Sequence, residues 1–222
     1  MPTHLQALKD AFAQARKEKE LMENGIKPPI KTEFIEKLHA TLFEFHILIN
    51  TRLNRDPYGP PIKPEGYGKF RRTIMINGKP HKYNVVVEGL GWSPSDSDDV
   101  AKDMELLVSK YNESTFHPVL KAIIFKVCLA NLQPFSDGNK RMSRIMLNYI
   151  LIRNGIPTVT IRGNHKEKYF KAMDSAIIDN DFSPLVEMIK KELKQRCKQY
   201  ISVIDKLKKS KNAETDLNNL GL

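Results

Sequence analysis

Gln133-Pro134-Phe135-Ser136-Asp137-Gly138-Asn139-Lys140-Arg141-Met142-Ser143-Arg144 is a polar, sharply turning stretch set between two of the most apolar segments of the chain. On its N-terminal side HPVLKAIIFKVCLANL (117–132) is apolar nearly all round. Leu120, Ile123, Ile124, Val127 and Cys128 cover too much of the circumference for a surface helix. On its C-terminal side IMLNYILIRNG (145–155) is similar and stops at Asn154-Gly155, with Pro157 just beyond. Two buried helices joined by a charged loop are therefore the expected centre of the fold.

Outward from this centre the chain reads mostly as helix. Residues 3–23 have the composition of an exposed helix, ended by Asn24-Gly25 and Pro28-Pro29. Thr32 is a plausible N-cap for a second helix. A loop crowded with proline and glycine (54–70) leads into RRTIMINGKPHKYNVVVEG, where Asn77-Gly78 between β-rich arms signals a hairpin over 71–88. Residues 98–112 form another helix. Near the end, Val186, Ile189, Leu193, Cys197, Tyr200, Ile204 and Leu207 recur at helical spacing beneath a basic outer face. The expected class is all-α with a small β-hairpin, one domain over 1–208, the core helices and loop at 116–155, and a frayed polar tail at 209–222.

Composition narrows the function. The chain has 222 residues and a net charge of +10, which raises nucleic acid as a partner. No paired-cysteine finger, aromatic stacking signature or basic zipper accompanies the charge, so nucleic-acid binding is the weaker alternative. Cys128 and Cys197 lie in apolar helical contexts without metal spacing and read as buried thiols of a reducing compartment. No apolar run spans a bilayer and no signal-peptide pattern opens the chain, so a soluble, cytoplasmic protein without a membrane partner is expected.

The loop itself has the chemistry of an anion site. Gly138 or Asn139 stands where the second buried helix begins, and a helix start presents unpaired N–H groups and the positive end of the macrodipole. Glycine at 138 lets the backbone approach a ligand closely. Arg141 and Arg144, three apart, project from one side and can clamp phosphate oxygens. Asp137 is a hard oxygen ligand suited to Mg²⁺. Taken singly, each residue is explained by a Gly-Asn cap with two solvated arginines; their convergence between buried helices suggests a Mg-nucleotide or other polyphosphate.

The loop resembles the signature of the Fic/Doc (Fido) family, His-x-Phe-x-Asp/Glu-Gly-Asn-Gly/Lys-Arg-x-x-Arg. It matches at Phe135, Asp137, Gly138, Asn139, Lys140, Arg141 and Arg144. GKFR (68–71), the hairpin, His117-Pro118, HKEKYFKAMDSA (165–176) and DFSPLVEMI (181–189) fall in the family's order, so the resemblance runs from about residue 32 to 190. It implies a helical core with a β-hairpin flap and transfer of AMP from ATP, with Mg²⁺, to a Ser, Thr or Tyr hydroxyl of a protein. It assigns Asp137 to the metal, Gly138, Asn139 and Arg141 to the α- and β-phosphates with Lys140 among them, Arg144 to the terminal phosphate, and Phe135 to anchoring the loop. The flap would register a target protein by strand addition, with Ile74, Ile76, Tyr83, Val85 and Val87 alternating along its arms. AMP-transferring members mostly carry glycine where Lys140 stands. The phosphate-transferring Doc branch has alanine where this chain has Gly138, and kinase-type transfer is the minor reading.

Gln133 occupies the place of the signature histidine, the general base. An amide has no useful basicity near neutral pH, and losing such a base costs about 10²–10⁴ in rate. Lys126, seven residues earlier, stands where the family often has another histidine. His117 is roughly 24 Å away along the same helix, and His81 lies on the flap. A slow transferase, a nucleotide-binding switch or scaffold without chemistry, and an introduced change that traps the enzyme all remain open. The expected protein is a nucleotide binder of the AMP-transferase class with weak or absent activity. KELMEN (19–24) also resembles the family's inhibitory motif, Ser/Thr-x-x-x-Glu-Gly/Asn, with Lys19 replacing the Ser/Thr. That resemblance implies an ion pair between Glu23 and Arg144 that competes with ATP; the alternative is a helix-end glutamate in solvent.

Overall fold

A computed structural model describes residues 2–53, 67–85, 92–161 and 166–219, with side chains over 5–44, 67–85, 92–161 and 166–208. Its helices are α1 (Pro2–Glu23), α2 (Thr32–Leu53), α3 (Val100–Glu113), α4 (Pro118–Leu132), α5 (Asn139–Arg153), α6 (Lys166–Ile178) and α7 (Ser183–Asn219). The fold is all-α with a two-stranded antiparallel hairpin, β1 (Thr73–Ile76) and β2 (Lys79–Lys82).

The centre is the packed pair α4 and α5. Ile123, Phe125 and Leu129 of α4 and Met142, Ile145, Met146 and Ile150 of α5 have almost no exposed surface. α4 opens in the expected way: Pro118 fills the first turn, and His117 Nδ1 accepts from the Val119 N–H at 3.3 Å. α5 ends at Asn154 and Gly155, whose N–H groups close onto Leu151 and Ile152.

α1 corrects the sequence reading. It is not merely an exposed helix: Ala7, Ala11 and Ala15 are wholly buried and form a stripe along a helix that packs on α5 and α2. Alanine lets two helix axes approach closely while contributing little hydrophobic signal. At the end of this contact, Glu18 is buried against Arg153 (Nε to Oε2, 3.2 Å) and accepts from Tyr149 Oη at 2.6 Å. Arg153 also donates to the Pro28 carbonyl at 2.5 Å. Burial pushes the Tyr149 phenol well above its ordinary pKa, so it stays a donor.

The hairpin is shorter than the arms of 71–88. Asn77 and Gly78, both at positive φ, make the tight turn. Pairing then ends at Thr73 with Lys82. Tyr83 and Val85 lie beyond the paired strands, and Val87 is outside the described residues. The ribbon stops because the chain at Arg71 is bonded elsewhere, as described below. Residues 209–219 continue α7 as helix where the composition suggested a frayed tail. Cys128 is half-buried and Cys197 is exposed, so the reading of two buried thiols holds for neither in full. No described helix is long and apolar enough to cross a membrane.

Removing Glu18 leaves the Arg153 charge buried without its partner. Glu18→Ala is expected to cost about 3–5 kcal/mol in urea unfolding, and Arg153→Met in the same background to recover part of it. A double variant no more stable than Glu18→Ala would contradict this.

Candidate functional site

The chain leaves α4 through a left-handed residue. Gln133 caps the helix at φ 48°, ψ 56°, a conformation that non-glycine residues adopt rarely. Its side chain turns back on its own helix, Nε2 donating to the Ala130 carbonyl at 2.6 Å. Gln133 is buried, with 7% of its surface exposed.

Arg71 holds this exit in place. Its Nε donates to the Gln133 carbonyl at 2.6 Å and Nη2 to the Leu132 carbonyl at 3.1 Å. The same guanidinium reaches the carbonyls of Tyr83 (2.9 Å) and Ser95 (2.8 Å), and the Arg71 N–H donates to Pro134 O at 2.8 Å. One buried cation thus ties the base of the hairpin to the front of the loop. Charge-assisted bonds from a buried guanidinium to several carbonyls make such a tie strong.

The middle of the loop is pinned from two sides. Phe135 is wholly buried and stacks on His39 at a ring separation of 3.7 Å. The Asn139 side chain accepts from the Phe135 N–H (2.9 Å) and donates to the Phe135 carbonyl (2.7 Å), closing the loop on itself. His39 Nδ1 accepts from the Gly68 N–H at 2.9 Å, so Nε2 carries the proton and donates to the Asp137 carbonyl at 3.0 Å. Gly68 and Gly138 both have positive φ, and a Cβ on either would come within 2.6 Å of Ala40 or Phe43 respectively. Glycine at 138 is needed for this packing, independently of any ligand.

The outer side of the turn is charged. Asp137 accepts from the Gly138 N–H at 2.5 Å and from Arg141 Nη2 at 3.3 Å. Arg141 lies over the Phe43 ring, 4.8 Å from its centre. Arg144 is exposed, donates to the Lys140 carbonyl at 3.0 Å, and has no carboxylate partner among the described residues. Lys140 points into solvent near Phe170. Beneath them Lys126 is fully buried, donating to Tyr169 Oη and, at 3.1 Å, to Met173 Sδ. Burial, with a smaller push from the Arg144 charge, brings the Lys126 amine down to about 7.

Comparison with known proteins agrees with this fold. Residues 29–151 match the model of the Fic/DOC family. The chain belongs to the Fic/DOC family. Among curated relatives, the protein adenylyltransferase Fic of Aedes aegypti is 34% identical over 128 residues, covering 58% of this chain and 24% of that protein. The one of Drosophila melanogaster is 34% identical over 163 residues, covering 72% and 29%. The chain thus spans about a quarter to a third of the length of these relatives. A Fic domain containing signaling protein from Bacteroides thetaiotaomicron shares the fold, with a TM-score of 0.62 over 87% of this chain and 67% of that one at 20% identity. BepC from Bartonella tribocorum, solved with bound AMPPNP, gives a TM-score of 0.52 over 84% and 86% at 15% identity.

Within this Fic domain the expected site residues are partly brought together. Asp137, Lys140, Arg141 and Arg144 share the outer side of the loop and the first turns of α5. The Asn139 side chain faces inward as a brace, leaving its main-chain N–H at the helix start. Glu23 is elsewhere: it pairs with Lys19 at 2.8 Å on α1 and is exposed. It lies past Glu18, which contacts Arg153 near the end of α5, whereas Arg144 stands near the beginning. The pair Glu23–Arg144 is therefore not made. Two loop-holding residues were not singled out from the sequence. His39 gives only the faint signal of a lone histidine among Ile35, Leu38 and Leu42; Arg71 stands out only as part of GKFR and as the start of the hairpin segment.

Burial lowers the His39 pKa from 6.5 to about 4, partly opposed by Asp137. The unfolded chain therefore takes up a proton, between pH 6.5 and about 4, that the folded chain refuses. The His39 contribution to stability is whole above this window and falls as pH drops through it. The expected loss is about 3 kcal/mol by urea titration, absent from His39→Gln. The same pH dependence in both proteins would contradict it.

Proposed function

We propose that this Fic domain binds a magnesium–ATP type nucleotide at the start of α5, and that it transfers AMP to a protein hydroxyl weakly or not at all. The observation that carries the reading is the Gln133 amide, bonded to Ala130 at 2.6 Å at the position of the signature base. Its nitrogen is committed to the helix end, and its oxygen has no useful basicity. A hydroxyl delivered there would keep its proton until late in the reaction, which raises the barrier by about 3–5 kcal/mol.

The donor set suits a polyphosphate. The first-turn N–H groups of α5, Arg141 and Arg144, which has no carboxylate partner among the described residues, supply positive charge on one side of the loop. Asp137 is an exposed carboxylate beside them. No three His, Cys, Asp or Glu side chains converge among the described residues. A single carboxylate beside phosphate oxygens is how Mg²⁺ is commonly held, whereas a protein cage would need more ligands. When bound, the ion would offset phosphate charge; the chain's part is to fix Asp137 through Gly138 and Arg141. The curated relatives' name, adenylyltransferase, and the AMPPNP bound to BepC support ATP as the nucleotide.

The hairpin would present the target. β2 is exposed at all four residues and Met75 on β1 is 66% exposed, and neither strand pairs with a third among the described residues, so the ribbon offers an edge for strand addition. Arg71 links that ribbon to Gln133, so a segment paired with it would be held in register with the loop.

A switch or scaffold without chemistry is the second reading, favoured by the same bonded amide. Either requires binding. Titration calorimetry should detect ATP with Mg²⁺. Arg144→Ala should weaken binding about tenfold or more, and Asn139→Ala should do so by loosening the loop. Glu23→Ala should leave binding unchanged. No heat with ATP, GTP or a CDP-linked nucleotide would remove both readings; tighter binding by Glu23→Ala would restore the inhibitory pair.

A further inference from the structure

The second half of α7 has no part in the nucleotide site, yet it carries the largest run of exposed apolar side chains. α7 is 37 residues long, about 55 Å. α6, with 13 residues, turns back at Asp179–Phe182 and packs against α7. A helix of that length covers about the first 13 residues of its antiparallel neighbour. Leu185 and Ile189 are accordingly buried and Leu193 partly so. Beyond them the chain overhangs. Tyr200, Ile201, Val203, Ile204 and Leu207 are 47–60% exposed.

Tyr200, Ile204 and Leu207 continue the core-facing stripe, with Ile201 and Val203 on its two sides. At 100° per residue, Leu185, Ile189, Leu193, Cys197, Tyr200, Ile204 and Leu207 lie within one face. From Leu193 onward the spacing is four, three, four, three, the seam of a helix that packs on another helix. Lys194 and Lys208 line one flank of the seam and Arg196 the other, while Lys198 and Asp205 lie toward the outer face. Between 190 and 208 there are seven Lys and Arg against two acids.

We propose that the overhanging half of α7 is a docking surface for an acidic amphipathic helix of a partner protein. The apolar seam supplies burial, and acids flanking the partner's own seam would meet Lys194, Arg196 and Lys208. The charge decides against a second copy of this chain, since pairing α7 with itself sets these cations against one another. The direction of the seam decides against a membrane. It faces the side on which α4 and α6 stand, so a flat surface is held off where a narrow helix fits.

The test uses the whole chain and two labelled synthetic peptides of about three heptads. Both have leucine and isoleucine along the seam; one has glutamate on the flanks and the other lysine. Fluorescence anisotropy should show the glutamate peptide binding and the lysine peptide binding about tenfold or more weakly. Ile204→Glu should abolish the first while leaving the melting temperature unchanged, because Ile204 is exposed. Light scattering should find a monomer. Equal binding of both peptides, binding of neither, or a dimer that Ile204→Glu dissociates would each overturn the proposal. So would retention of duplex DNA, or of phosphatidylserine–phosphatidylcholine vesicles, that displaces the glutamate peptide.

Discussion

A main chain that leaves one buried helix and enters another must satisfy its polar groups without water. In this Fic domain that constraint falls on the turn from α4 to α5, and three side chains meet it. Arg71 collects the carbonyls of Leu132 and Gln133, Asn139 closes onto both polar groups of Phe135, and His39 takes the Asp137 carbonyl. Phe135 fills the space behind. Each buried polar group left unpaired would cost about 1–3 kcal/mol, so the turn has little freedom to take another path.

The charged surface of the loop follows from this inner scaffold. With the carbonyls facing inward, the start of α5 faces outward, together with Asp137, Arg141 and Arg144. Gln133 is a member of the inner set. It caps α4 with its main chain, is clasped by Arg71, and returns its amide to Ala130. Its place in the inner set is held by main-chain and side-chain bonds on the far side of the loop from Asp137, Arg141 and Arg144.

The sequence made the central helices legible because their apolarity runs right round, a pattern no surface helix supports. The loop was legible through residue types whose chemistry is local: glycine at positive φ, and cations one turn apart. What it hid works at long range or through weak signals. Arg71 acts on carbonyls 61 and 62 residues away, and His39 on one 98 residues away, contacts that no local periodicity encodes. The α1 stripe is alanine, too small to mark a buried face. Glu23 matched a motif by spacing, but its place in space is set by where α1 docks, and Glu18 with Arg153 puts that end of the helix far along α5. Cys197 looked buried because its helix continues an apolar stripe past the end of the body that covers it.

The central claim is that the phosphate side of the loop is intact and only the proton acceptor is missing. It is tested most directly by the rate at which Gln133→His, incubated with α-labelled ATP and Mg²⁺, incorporates label into itself or a lysate protein. The account predicts a gain of about 10²-fold or more over the unchanged protein. Unchanged protein that labels as fast as the histidine variant, or a histidine variant that binds ATP yet labels nothing, would contradict it.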